Sequence, residues 1–308
     1  MQLSTTYIGV DVAKAWIDIF NPDTRQHARC KNDPMALADW INTLKDERVV
    51  FEATSGCDAA LIANLSKAGV GYVRVNPLQA RQFARAAGVL SKTDRVDARM
   101  LSSMGQALQL DASRPPEPHR ERLSILHARR GDVVSMIVAE QSRLSSAHEQ
   151  WVRKDIASSI KLLTRRRERI QAEIDLHIQS HADLAEQTKC LQSAPGVGPQ
   201  IACTLIANLP ELGKTDRRAI ANLAGLAPHA HESGRQTGKR KIWGGRSQVR
   251  KAMYIAALVA IRWDKHWKAV YLTMREAGKP AKVAMIAVAR RLLVRLNAMM
   301  KTGTIYSN

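Results

Sequence analysis

Residues 119 to about 180 contain no proline and one glycine, Gly131. Arg, Glu, Leu, Ile and Ala dominate the stretch. So long a run without a breaker reads as long helices, and their apolar residues must find partners in a helical hairpin or coiled coil. The run follows Arg114-Pro-Pro-Glu-Pro118, which stops any regular element and reads as a boundary. The chain therefore divides into an N-terminal part, a long helical segment and a C-terminal part. The divisions fall at 1–113, 114–187 and 188–308.

The first part alternates strands with helices. Residues 5–22, TTYIGVDVAKAWIDIFNP, read as a β-hairpin, with Tyr7, Ile8 and Val10 leading to Asp11. RVVFEA at 48–53 is a buried type of strand ending at Glu52. A helix, DAALIANLSKAG, and a strand, VGYVRVNP at 70–77, follow. This layout predicts an α/β layered domain. At 92–110, Thr93 and Asp94 supply helix-start chemistry before apolar residues at near-helical spacing.

Four carboxylates stand out in this domain. Asp11 sits at the centre of an apolar strand pair, where a charge is costly unless paired or bound to metal. Glu52 ends the next strong strand. Asp94 and Asp97 are three residues apart and share a helix face. Such oxygen donors suit Mg²⁺ or Mn²⁺. Two such ions about 4 Å apart can clamp both oxygens of a phosphoryl displacement. The plainer alternatives are a helix cap for Asp94 and a solvated face for Asp97. Asp18, by alternation, is expected to face solvent outside the site.

The last part reads as helices around two special segments. Ala194-Pro-Gly-Val-Gly198 resembles the turn of a helix-hairpin-helix module, where Gly196 and Gly198 let backbone N–H groups approach a phosphate. An ordinary helix–helix turn is the alternative. The second segment is the basic, glycine-rich loop 229–251. Its Arg235, Lys239, Arg240, Lys241, Arg246 and Arg250 are candidate phosphate contacts. Ser233 lies in this loop; composition alone leaves it a turn serine, since a hydroxyl needs activation to act as a nucleophile. Ser247 reads as a helix cap. Two apolar-rich helices, roughly 247–263 and 280–301, close the chain.

Charge supports a polyanionic partner. Lys+Arg number 47 against 28 Asp+Glu, a formal net charge of +19, and neutralising phosphates releases counterions. No apolar run reaches the roughly 18 residues of a membrane span, and no signal-peptide layout opens the chain, so a cytoplasmic location without membrane partners is expected. Four scattered cysteines form no zinc or disulfide framework.

The motifs together resemble the DEDD transposases of bacterial insertion sequences, kin of the Piv invertase. The resemblance runs through YIGVDVAK (7–14), FEATSG (51–56), KTDRVDARML (92–101), SAPGVGPQIA (193–202), LAGLAPHAHESG (223–234) and GGRSQVRKAMYIAAL (244–258). It implies a RuvC-like domain of RNase H fold, a coiled-coil dimerisation segment and a mainly α C-terminal transposase domain with a helix-hairpin-helix. It also implies a metal-binding, catalytic tetrad at Asp11, Glu52, Asp94 and Asp97, and a serine nucleophile at Ser233. The implied partners are donor and target DNA, an element-encoded guide (bridge) RNA, and further copies of the chain in a dimer of dimers. Sequence choice would then rest on RNA pairing. Two other functions remain open at this level. One is a metal-dependent nuclease or junction resolvase using water. The other is a non-catalytic nucleic-acid-binding protein.

Overall fold

The structure is a computed structural model. It describes the chain except residues 1–4, 55, 90–92, 114–116, 230–231, 234–235, 238–240 and 308; for 232, 233, 236 and 237 it describes the backbone alone. The chain forms two compact units, Met1–Pro116 and Glu117–Asn308.

The first unit is built on a five-stranded mixed sheet. Its strands are β1 (Tyr7–Val12), β2 (Trp16–Asn21), β3 (Gln26–Lys31), β4 (Arg48–Glu52) and β5 (Tyr72–Val75), in spatial order β3-β2-β1-β4-β5. The first three strands form an antiparallel meander, while β4 and β5 run parallel to β1. Four helices accompany it: α1 (Pro34–Ile41), α2 (Ala59–Ala68), α3 (Pro77–Ala86) and α4 (Asp94–Leu108). Local chemistry starts most of them. Asp33 caps α1 by accepting from Met35 and Ala36 N–H, Asn76 caps α3, and Thr93 caps α4 by accepting from Val96 N–H at 3.3 Å. This is an RNase H/RuvC-like arrangement, an α/β layered domain as the sequence predicts and of the fold that the resemblance implies.

Both faces of the sheet are covered. On one, Ile8, Val10, Ile17, Ile19, Val49 and Phe51 pack with Leu37, Ile41, Leu61 and Leu65 of α1 and α2. On the other, Tyr7, Val50, Val73 and Val75 pack with Met100, Leu101 and Met104 of α4. Glycine makes the second packing possible. A Cβ at Gly9 would lie 1.8 Å from the Ala98 carbonyl oxygen of α4. The bare α-carbon lets the helix backbone rest directly on β1 and draws the start of α4 toward the strand ends.

The second unit is mainly helical. The breaker-free run forms α5 (Pro118–Ser146) and α6 (Gln150–Gln179), which fold back on each other through a three-residue link. Arg122 and Glu173 pair across them at 2.5 Å. Then follow α7 (Ala182–Gln192), α8 (Pro199–Asn208) and α9 (Arg217–Leu223). Four two-residue strands come next: β6 (Pro228–His229), β7 (Glu232–Ser233), β8 (Gln236–Thr237) and β9 (Lys241–Ile242). The chain closes with α10 (Ser247–Trp263), α11 (Lys265–Glu276) and α12 (Ala281–Thr302). Fully buried Met253, Ala256, Ala257 and Ala260 of α10 and Leu292, Leu293 and Leu296 of α12 lie in its core. The sequence reading of two closing helices missed α11, which starts afresh where Asp264 accepts from Trp267 N–H. Ser247 is the first residue inside α10, with Arg246 at the cap position and no side-chain cap bond. Among the described residues no helix is long and apolar enough to cross a membrane.

Candidate catalytic centre and nucleic-acid interface

The acidic residues of the first unit are arranged across the sheet face that α4 covers. Asp11 lies opposite Asp18 in the β1–β2 register, and Asp18 lies opposite Arg29 in the β2–β3 register. Residues directly opposite in a ladder point to the same face, so Asp11, Asp18 and Arg29 form one row. Glu52 ends β4, two residues beyond Val50 of the same face. Asp94 and Asp97 occupy the first turn of α4.

Electrostatics register this crowding. The Asp11 carboxyl is pushed up to about 6, first by burial and then by the charges of Asp97, Asp94, Asp18 and Glu52. A carboxylate among four others is the environment that a divalent cation relieves. All-oxygen donors on two strands and a helix fit Mg²⁺ or Mn²⁺. The structure thus places Asp97, Asp94 and Glu52 near enough to Asp11 for their charges to act on it. It also corrects the expectation for Asp18. This residue is 4% exposed, because its face of β2 is roofed by α4. Its charge is met by Arg29, with Nε donating to Oδ1 at 3.0 Å and Nη2 to Oδ2 at 2.8 Å. The same Nη2 reaches Asp94 Oδ2 at 3.3 Å.

A second group with metal-ligand chemistry lies in the helical unit. Donor atoms of Glu117, His119 and Asp183 all fall within 4.8 Å of one another, and they could coordinate a divalent ion. His119 Nε2 is 3.0 Å from Asp183 and 3.5 Å from Glu117. Arg120 already pairs with both carboxylates, at 2.7 and 3.3 Å. The sequence hides this group because Asp183 is remote from Glu117-x-His119.

The glycine turn at 194–198 joins α7 to α8. Gly196 has φ +81°, and a Cβ there would lie 2.2 Å from the Ala256 carbonyl oxygen of α10. Its glycine is therefore required by packing within the unit. Gly198 caps α8 with open space around it.

Among the described cations of the basic loop, Arg246 and Arg250 are bound internally. Arg246 forks onto Glu211, with Nη2–Oε1 at 2.7 Å and a second short contact between Nη1 and Oε2. Arg250 Nη1 donates to the Gly244 carbonyl at 2.6 Å. Both hold the loop base to the unit. Lys241, on β9, is exposed. Arg235, Lys239 and Arg240 lie outside the described residues. Ser233 is on β7, paired with Gln236 of β8 in a short backbone hairpin; its side chain lies outside the described set.

Two family models match this chain. A DEDD transposase model of the IS110 type covers residues 8–153 and so spans all four carboxylates. A model described as the IS116/IS110/IS902 transposase family covers residues 188–272, including the glycine turn and the basic loop. The pilin gene-inverting protein of Moraxella bovis is 26% identical over 94% of both chains. Across both matched stretches the chain is similar to the IS110-type DEDD transposases. Its general activity is accordingly transposase or recombinase strand transfer on DNA. Two insertion-element proteins match over shorter spans. One, from IS110 of Streptomyces coelicolor, is 29% identical over 50% of this chain and 37% of its own. Another, from IS900 of Mycobacterium paratuberculosis, is 33% identical over 43% of this chain and 34% of its own.

Proposed function

We propose that the chain is an RNA-guided DNA recombinase whose acidic row forms the catalytic centre for strand exchange. The observation that carries this reading is Asp11 on the sheet face that α4 covers, its carboxyl raised first by burial and then by the charges of Asp97, Asp94, Asp18 and Glu52. Asp11, Glu52, Asp94 and Asp97 hold Mg²⁺ or Mn²⁺. The ion, when bound, polarises the scissile phosphate and offsets its developing charge.

Ser233 supplies the nucleophile. Its Oγ bonds to phosphorus as the bond to the 3′ oxygen breaks, leaving a phosphoserine on the 5′ side and a free 3′-OH. The partner strand's 3′-OH then attacks the phosphoserine and releases the serine hydroxyl, so the phosphodiester count is conserved. Lys241 and the neighbouring cations Arg235, Lys239 and Arg240 hold the DNA backbone. The turn at Gly196 and Gly198 offers backbone N–H groups to phosphate. The α5–α6 segment mediates dimerisation toward a dimer of dimers. Exposed Met136, Val138, Trp151 and Leu162 along it support this. Sequence choice is delegated to a structured guide RNA encoded by the element.

The test is a denaturant-resistant DNA–protein adduct formed with Mg²⁺, guide RNA and donor DNA. Wild type forms it, and Ser233→Ala does not while still binding RNA and DNA. Strand joining by Ser233→Ala would overturn the phosphoserine step and favour attack by water.

A further inference from the structure

We propose that Arg29 is a positioning residue of the acidic centre that competes with the divalent ion for the Asp94 carboxylate. This rests on the metal reading of the acidic row. The two ends of the Arg29 fork are unequally held. On one side it meets Asp18 through two hydrogen bonds of 3.0 and 2.8 Å. The Asp18 side chain is 6% exposed, and a buried carboxylate stripped of its cation is strongly destabilising. The guanidinium also sits 5.0 Å above the Trp16 ring, which further limits its movement. On the other side it has one contact to Asp94, at 3.3 Å, and that side chain is 55% exposed. Arg29 therefore stays with Asp18, and Asp94 is the partner that can leave.

Two consequences follow for an ion at the centre. It must take Asp94 away from Arg29, and it must bind beside a fixed positive charge. Both oppose binding. Arg29 also ties the first residue of α4 to β3, which keeps Asp94 near the row between binding events. A residue that merely supported the fold would act in the opposite sense: its loss would scatter the carboxylates and weaken the ion.

The experiment is a Mn²⁺ titration of the full chain, followed by electron paramagnetic resonance of free Mn²⁺. The ion of interest is the one whose binding is lost in Asp11→Asn, which separates it from any bound at Glu117, His119 and Asp183. Arg29→Gln is expected to lower its Kd about fivefold, the scale of one exposed ion pair, and to lower the melting temperature without the ion. Arg29→Lys keeps a cation beside Asp18 but withdraws the fork from Asp94. It should tighten Mn²⁺ binding to a smaller degree, with a smaller loss of stability than the glutamine variant because Asp18 keeps a cation beside it, and it serves where the glutamine variant does not fold. An unchanged or raised Kd in a folded Arg29 variant overturns the inference and leaves the metal reading intact. If no Mn²⁺ binding is sensitive to Asp11→Asn, the metal reading falls and the inference with it.

Discussion

Asp11 and Asp18 lie directly opposite each other across the β1–β2 ladder, on the face that α4 covers. Their situations differ. Asp18 is held by the Arg29 guanidinium, while the charges acting on Asp11 are those of Asp97, Asp94, Asp18 and Glu52. The row thus stores an electrostatic tension at Asp11.

That tension has a pH signature. The folded Asp11 carboxyl sits at about 6, above its ordinary 3.8. The folded chain then binds the extra proton more tightly, so this contribution to stability is fully present below 3.8 and is lost as pH rises through 6. In chelator, Asp11→Asn should be more stable than wild type above pH 6, by about 1 kcal/mol after allowing for solvent screening. It should also lose this part of the pH dependence. Urea unfolding from pH 4 to 8 measures it, and equal pH profiles would count against the crowded carboxylate.

Gly9 sets the approach of α4. Gly9→Ala must move the Ala98 carbonyl, since its Cβ would start 1.8 Å away. The expected loss is about 3 kcal/mol or more in the first unit, as for overpacking against a backbone. Asp94 and Asp97 would move with the helix, so strand transfer should fall even where the variant folds. Thermal unfolding together with a strand-transfer assay checks both.

How far the sequence carried depends on what each residue had to reveal. Asp11 was legible because a carboxylate at the centre of an apolar strand pair is anomalous, Glu52 because it ends a strong apolar strand, and Thr93-Asp94 announced a helix start. Asp18 was misread because alternation assumes one wet face, and both faces of β2 are covered. β3, QHARCK, is an exposed edge strand without apolar alternation, so Arg29 carried no signal. The loop cations were legible as a group. Which of them bind internally was not, because Glu211 lies 35 residues from Arg246.

The glycine turn separates folding from binding. Gly196→Ala should destabilise the second unit by more than about 2 kcal/mol, because its φ is +81° and α10 blocks a Cβ. Gly198→Ala should fold normally. A drop in DNA affinity for Gly198→Ala without a change in melting temperature would mark the turn as a phosphate contact.

The basic loop should divide the same way. Arg246→Ala removes the partner of half-buried Glu211 and should cost about 1–2 kcal/mol. Lys241→Ala should leave stability unchanged, weaken DNA binding regardless of sequence, and reduce the salt slope of log K by about one. Melting curves and binding titrations at several salt concentrations distinguish the two.

The central claim is that the acidic row performs the DNA chemistry. Its most direct test is strand exchange by Asp11→Asn in Mg²⁺, with binding to the same DNA and RNA measured in parallel. The account predicts a loss of exchange of at least about a thousandfold, with binding within a factor of two or so. Exchange at the wild-type rate by a folded Asp11→Asn protein would contradict it.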